Sequence, residues 1–213
     1  MAQHMIIAGG SGFIGQYLAR HFVQYGYRVS ILSRQKQIDL PEGVSSVLWD
    51  GKQSGPWQMI LDGADVLINL AGKSVNCRYT PENRQAIHDS RVDSTRILGK
   101  AIKQCKQPPR VWLNASTATI YRYSEDKDMT EATGELVDDF STSVAKDWEA
   151  AFFGCKVPHT RQVALRMSII LAKDDGALPR MVNLARTGLG GAQGHGRQYV
   201  SWLHIEDLLR IID

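Results

Sequence analysis

The sequence predicts an α/β chain organised as a doubly wound parallel sheet, and two observations carry that prediction. Short, almost continuously apolar segments alternate with longer segments whose apolar residues recur at helical spacing. That is the pattern of strands buried on both faces between crossover helices. The first apolar segment also ends in glycines that open directly into an amphipathic helix. Right-handed crossovers in such a sheet gather the loops that follow its strands along one carboxyl edge.

The elements follow in order. A first strand at 5–8 leads through glycines to a helix carrying Phe13, Ile14, Tyr17, Leu18, Phe22 and Val23, closed at Gly26. Strands are expected at 28–32, 44–49 and 65–70, with the Asp50-Gly51 turn and a short helical piece at 57–61 between the last two. A long polar helix spans 81–106 and is stopped by Pro108-Pro109; a fifth strand at 110–115 ends in Ser116-Thr117. The acidic, apolar-poor stretch 123–139 reads as a surface loop, and 141–153 returns to helix. A sixth strand lies around 163–165, a helix at 178–185, a glycine-rich loop at 188–196 and a last strand at 197–203. His204-Ile205-Glu206-Asp207 then starts a final helix. His204 and Asp207 are read as structural there, the carboxylate suiting the positive helix end.

The opening stretch, H-M-I-I-A-G-G-S-G-F-I-G, has the strand, glycine turn and helix start that a dinucleotide pyrophosphate requires. Gly9 permits the turn, Gly12 lets backbone approach phosphate, and Gly15 lets the helix pack closely. The phosphates then meet unpaired N–H groups at the positive end of the helix dipole. At the end of the second strand, an acidic residue would favour NAD by accepting both ribose hydroxyls. Ser33-Arg34 stands there instead, a small residue and a cation that suit a 2′-phosphate and favour NADP over NAD, the competing reading of Arg34 being a solvated loop arginine. Ala71-Gly72, after the fourth strand, are small enough for a cofactor to lie across the strand tip.

Composition excludes several other classes. With 213 residues, 43% hydrophobic and 22% charged, the chain can bury a full core. Its 25 basic and 22 acidic residues leave a net charge of +3 without basic blocks, which argues against nucleic acid or an acidic membrane as partner. There is no leader pattern and no apolar run of membrane-spanning length. The 3 cysteines, Cys77, Cys105 and Cys155, are far apart and lack C-x-x-C spacing. They read as reduced thiols of a cytoplasmic protein, with no metal site.

Together Gly9-x-x-Gly12-x-x-Gly15, Asn69-Leu70-Ala71-Gly72 and a Ser/Thr-rich fifth strand resemble the extended short-chain dehydrogenase/reductase superfamily, with its NAD(P)-binding Rossmann fold. Ser90-Arg91-Val92 with Thr95, Asp147-Trp148-Glu149-Ala150-Ala151, Gly188-Leu189-Gly190-Gly191, Gly194-x-Gly196-Arg197-Gln198 and Ser201-Trp202-x-His204-Ile205-x-Asp207-Leu208 resemble, more narrowly, its atypical epimerase-family branch. The resemblance implies one Rossmann domain over 1–213, with the smaller C-terminal substrate lobe of relatives largely absent. It implies cofactor contacts from Gly9, Gly12, Phe13, Ile14, Gly15, Ser33, Arg34, Leu70, Ala71, Gly72, Arg91 and Ser116. The substrate would be a small carbonyl compound or a nucleotide sugar, and pairing through the helices at 81–106 and 141–153 would give a homodimer. For Arg91 a surface ion pair with a neighbour such as Asp89 remains the competing reading.

Enzymes of the wider superfamily carry a Tyr-x-x-x-Lys pair on the helix after the fifth strand, the phenol exchanging a proton while the cofactor exchanges hydride. This chain offers Ser141 or Thr142 with Lys146 there, and no tyrosine. Thr142, Lys146, Glu149 and Phe153 are expected on one face, opposite the core. Thr117, Tyr121 and Lys146 are the catalytic candidates, with Tyr121 also read as a wall of the cleft. Tyr123 to Lys127 has the formal spacing but sits in the acidic loop and reads as coincidence. Without the helix tyrosine, a sensing or regulatory protein that binds NADP(H) without redox catalysis is the alternative.

Overall fold

The computed structural model describes residues 2–36, 40–192 and 194–213. The chain divides into two compact units, Met1–Ser116 with Val144–Leu165, and Thr117–Ser143 with Arg166–Asp213.

The first unit is built on β1 (His4–Ala8), which is buried along its whole length. After it come α1 (Phe13–Gln24), β2 (Arg28–Ser33), β3 (Val44–Leu48), a 3-10 turn at Pro56–Leu61 and β4 (Val66–Asn69). Next are α2 (Pro81–Ile102), β5 (Val111–Thr117), α3 (Phe140–Phe153) and β6 (Arg161–Met167). The six strands form a parallel sheet in the order β3-β2-β1-β4-β5-β6. That order reverses between β1 and β4, which opens a crevice at the carboxyl ends of those strands. β1 pairs with β2 from His4↔Arg28 to Ala8↔Leu32 and with β4 from Met5↔Val66 to Ala8↔Asn69. The doubly wound α/β fold expected from the sequence is therefore the fold observed.

Several boundaries moved for identifiable reasons. β1 begins one residue early, at His4, because the imidazole Nε2 lies 2.9 Å from Ser30 Oγ on β2 and is satisfied inside the sheet. α2 starts on Thr80, whose hydroxyl accepts from the Asn83 N–H at 3.3 Å, with Pro81 at the first helical position. It stops at Ile102 rather than 106, since the Gln104 and Cys105 N–H groups tighten back onto Ala101 and Ile102 carbonyls. β5 runs two residues past the expected end because Ser116 remains buried. Trp49 lies beyond the end of β3 but inside the core, 5.5 Å from Trp57 between ring centroids. Residues 37–39, after Ser33-Arg34, lie outside the described residues.

In the second unit Tyr121 bridges Leu136 in antiparallel fashion, and the intervening loop is laced by ion pairs. A two-stranded parallel sheet joins β7 (Ile169–Leu171) and β8 (Trp202–His204), with α4 (Leu178–Arg186) between them. The strand expected at 197–203 shrinks to β8, because β7 offers only three residues to pair with. α5 (Ile205–Ile212) is capped by His204, whose Nδ1 accepts from the Glu206 N–H at 3.3 Å. Gln193, inside the expected glycine-rich loop, lies outside the described residues. Among the described residues no helix is long and apolar enough to cross a membrane.

Candidate functional site

The glycine turn after β1 joins the tips of its two neighbouring strands. Gly9 adopts φ +75, and a Cβ there would come within 3.0 Å of the Leu70 and Ala71 backbone. Its N–H donates to the Leu32 carbonyl at 2.9 Å, which ties the same turn to β2. Gly15 has a different role from tight helix–sheet packing: a Cβ on it would fall 2.5 Å from Gly10 Cα, inside its own turn. Gly10, which the sequence pattern did not single out, lies under Ile31, whose Cγ2 would sit 2.5 Å from an added Cβ. The signal was present as a doubled glycine, but nothing in the spacing distinguished the second.

Gly12 is unlike these three. An added Cβ would meet only the Gly9 carbonyl oxygen, at 3.4 Å. The chain itself therefore does not require a glycine at this position. Gly12 is also the N-cap of α1, supplies no side-chain acceptor, and no acidic residue occupies the first turn. The first-turn N–H groups, including those of Phe13, Ile14 and Gly15, have no intrahelical partner by helix geometry. This open, donor-rich space fits a dinucleotide pyrophosphate.

The other cleft residues are held around it. Ser33 is buried and its hydroxyl donates to the Gln35 carbonyl, while Arg34 is exposed and has no carboxylate partner among the described residues. The Ala71 N–H donates to Asn69 Oδ1 at 3.1 Å, and the Lys73 N–H to Ser90 Oγ at 2.8 Å, which fixes the loop after β4 against α2. Arg91 lies over Gly72, where an added Cβ would be 3.2 Å from its Cζ. Its Nη1 donates to the carbonyls of Lys73 at 3.1 Å and Ile87 at 2.9 Å, and its guanidinium sits 5.3 Å from the Trp148 ring. Burial pulls the Arg91 pKa below its ordinary value. The alternative pairing with Asp89 is absent: that carboxylate is held by Gln85 at 2.7 Å and His88 at 2.9 Å. Arg91 is thus a half-buried cation with no carboxylate partner among the described residues.

Beneath the cleft lies a polar network that sequence reading missed. Asn69 and Asn114 are register partners on β4 and β5, with Asn69 Nδ2 donating to Asn114 Oδ1 at 2.7 Å. The Trp148 indole N–H donates to Thr95 Oγ1 at 2.9 Å, and Thr95 Oγ1 donates to the Arg91 carbonyl at 2.8 Å. The readable signal was an asparagine at the fourth position of two apolar strands, V-L-I-N and V-W-L-N. Ser116 points inward too, its Oγ donating to buried Glu149 at 2.5 Å.

A comparison with protein families matches residues 5–146 to the epimerase model, described as the NAD dependent epimerase/dehydratase family. An epimerase family protein of Staphylococcus saprophyticus is 35% identical over 210 residues, covering 99% of this chain and 70% of that protein. The chain belongs to the NAD dependent epimerase/dehydratase family. Among solved structures it is similar to human epimerase family protein SDR39U1 with NADPH, at TM-score 0.84 and 30% identity, covering 99% of this chain and 68% of that one. It is also similar to a nucleoside-diphosphate sugar epimerase from Corynebacterium glutamicum, at TM-score 0.82 and 28% identity, covering 100% of this chain and 43% of that one.

Thr117 and Tyr121 belong to the second unit and Lys146 to the first. Thr117 Oγ1 caps the 3-10 turn at Ala118–Ile120, accepting from the Thr119 N–H at 3.2 Å. Tyr121 is half-buried, with Arg166 donating to its hydroxyl and the guanidinium 5.1 Å from its ring. The face expected to carry Thr142, Lys146, Glu149 and Phe153 is divided in the structure. Thr142 and Glu149 are buried, whereas Lys146 and Phe153 are exposed, because the helix turns Ala145 and Trp148 inward with Glu149. Tyr123 and Lys127 are each engaged by carboxylates: the phenol donates to Glu125 at 2.7 Å and the ammonium to Glu135. The Glu125 contact pushes the Tyr123 pKa up, the wrong direction for proton exchange near neutrality.

Proposed function

We propose that the chain is the NADP(H)-binding part of a cytoplasmic epimerase-like oxidoreductase acting on a small carbonyl compound or a nucleotide sugar. The observation that carries the cofactor preference is the tip of β2, where a small buried Ser33 precedes an exposed Arg34 lacking a carboxylate partner among the described residues. A guanidinium in that position binds a 2′-phosphate through charge-assisted hydrogen bonds. The similar human protein, solved with NADPH, supports the same reading. The bound cofactor would supply hydride exchange. Gly12 and the first-turn amides of α1 would hold its pyrophosphate, and Arg91 would face its phosphate or ribose groups from across Gly72.

Fluorescence titration with NADPH and NADH tests the preference. NADPH binds about tenfold more tightly, and Arg34→Ala removes that advantage while leaving NADH affinity unchanged. Equal affinities for the two cofactors in the parent chain would refute it. A screen for NADPH oxidation over carbonyl and nucleotide-sugar substrates tests the reaction, with Thr117, Tyr121 and Lys146 substituted in turn. The buried face of α3 carries Thr142, Ala145 and Glu149 with no tyrosine. Tight NADPH binding with no turnover on any substrate would therefore select the sensing reading over the catalytic one.

A further inference from the structure

Tyr121 and Arg166 come from the carboxyl ends of neighbouring strands, the edge at which a sheet of this kind binds its ligands. Tyr121 follows β5 across the 3-10 turn at Ala118–Ile120, and Arg166 is the penultimate residue of β6. The tyrosine is fixed through backbone, ring and hydroxyl. Its backbone bridges Leu136, next to the Arg122 N–H donating to the Glu135 carbonyl at 2.8 Å. Its ring lies against Gly134, where an added Cβ would overlap Cε1 and Cδ1. Its hydroxyl oxygen accepts from Arg166 Nη1, and the guanidinium stands 5.1 Å from the ring centroid.

These contacts decide what the hydroxyl can do. A phenol oxygen that accepts an N–H keeps its own proton for a different acceptor. No acceptor among the described residues takes the Tyr121 proton, and the residue is only half-buried. Tyr123 is the contrast, since its proton goes to Glu125 at 2.7 Å. A packing role for Arg166 would need the ring contact alone. The bond into the hydroxyl adds a positive charge where negative charge appears as the proton leaves. We propose that Arg166 is a positioning residue for Tyr121, holding the phenol as a proton donor toward a substrate oxygen and balancing the charge left behind. The inference rests on the catalytic reading above, and it gives the chain a tyrosine–cation pair where α3 lacks the Tyr-x-x-x-Lys pair. In carbonyl reduction the Tyr121 proton passes to the substrate oxygen as hydride from the bound cofactor reaches the carbon. The resulting phenolate, paired with Arg166, then takes a proton from water.

NMR of the 213-residue chain with tyrosine isotopically labelled at Cζ tests the pair without turnover. Tyr121→Phe identifies the Tyr121 signal by its loss; Arg166→Gln moves that signal, and Arg166→Lys returns it toward the parent position. A Tyr121 signal unmoved by Arg166→Gln would overturn the pairing whatever the activity. NADPH oxidation is then followed with para-nitrobenzaldehyde, or with whichever compound of the substrate screen turns over fastest. Arg166→Gln lowers kcat about tenfold with KM within about twofold, and Arg166→Lys recovers to within about threefold of the parent. Arg166→Gln combined with Tyr121→Phe is no slower than Tyr121→Phe alone, because the two side chains act as a unit. NADPH titration and the melting temperature of the same samples report separately on the cofactor cleft and the fold. If Arg166→Gln does not fold, Arg166→Lys carries the same comparison with Tyr121→Phe. Losses that add in the double variant would make Arg166 structural. Turnover that ignores Arg166 overturns this inference alone, whereas NADPH binding without turnover across the screen overturns the catalytic reading and this inference with it.

Discussion

The turn after β1 and the loop after β5 both follow strands of the same sheet, yet they are shaped by opposite means. The first is shaped by missing side chains. Gly9, Gly10 and Gly15 bring backbone against backbone or against Ile31, leaving the α1 amides unopposed at Gly12. The second is shaped by charged side chains bonded to one another: Arg122 spans Asp126 and Glu135, Lys127 reaches Glu135, and Tyr123 reaches Glu125. Arg122 holds the Asp126 carboxyl well below the usual carboxylate range. A turn of the first kind offers a fixed shape and free donors, which is what binding a phosphate needs. A loop of the second kind has committed Tyr123 and Lys127 to its own carboxylates, so that neither is poised for proton transfer.

The largest effect that would break this contrast lies within the glycine turn itself. Gly15→Val forces a Cβ onto Gly10 and should destabilise the first unit by about 3 kcal/mol in urea unfolding. Gly12→Ala meets only the Gly9 oxygen, so its stability change should stay under about 0.5 kcal/mol. Its NADPH affinity should nevertheless fall by about tenfold or more, since the methyl occupies the phosphate's space. If Gly12→Ala instead unfolded the chain and spared binding, Gly12 would be a structural glycine like its neighbours.

The two tyrosines after β5 sharpen the other side. Tyr121 has a cation, Arg166, on its hydroxyl; Tyr123 has a carboxylate. In whatever NADPH-dependent reaction the substrate screen reveals, Tyr121→Phe should lower turnover by about a hundredfold. Tyr123→Phe should leave it within about twofold, because a phenol held up in pKa by Glu125 is not the proton donor. The reverse ranking would make the Tyr123–Lys127 spacing functional after all.

Arg91→Lys has a smaller expected effect. A lysine keeps the charge but loses the planar group above Gly72 and beside Trp148. It also loses at least one of the two carbonyl contacts. Stability should drop by about 1 kcal/mol and NADPH affinity by a few-fold, measured on the same sample by thermal melting and titration. A substitution neutral to both would return Arg91 to the status of a surface residue.

What was legible in the sequence follows the same division. The sheet was readable because β1, β4 and β5 carry the unbroken apolar runs M-I-I-A, V-L-I and V-W-L, and the cofactor cleft because a glycine turn leaves a backbone signature at fixed spacing. The Asn69–Asn114 pair, the Trp148–Thr95 bond and the Ser116–Glu149 contact were not readable, since each joins elements far apart in the chain. α3 shows the limit within a single helix. Lys146 and Glu149 are three residues apart, so a face drawn through both is natural, but burial of Ala145 and Trp148 turns the helix to admit Glu149 and expel Lys146. Periodicity gives the existence of a face; which polar residue is drawn in depends on what lies opposite, here Ser116.

His4 carries the smallest of these effects and reports on the same β1 strand from within. Its Nε2 lies 2.9 Å from Ser30 Oγ, which is 2.9 Å from Ser45 Oγ on β3, a polar line across three strands. Burial lowers the His4 pKa from 6.5, Arg28 lowers it further, and Asp65 partly opposes both. The unfolded chain therefore binds a proton more readily than the folded one just below pH 6.5. Stability is full above that value and declines as pH falls from 6.5 toward the folded pKa, with a slope that one proton limits to about 1.4 kcal/mol per pH unit. His4→Gln removes this titration. Although its stability at pH 8 should be somewhat lower, its unfolding free energy should fall less steeply than the parent's as pH drops below 6.5. Parallel curves for the two proteins would mean that carboxylates such as Asp89, held below the ordinary range chiefly by His88, account for the acid sensitivity and that His4 does not.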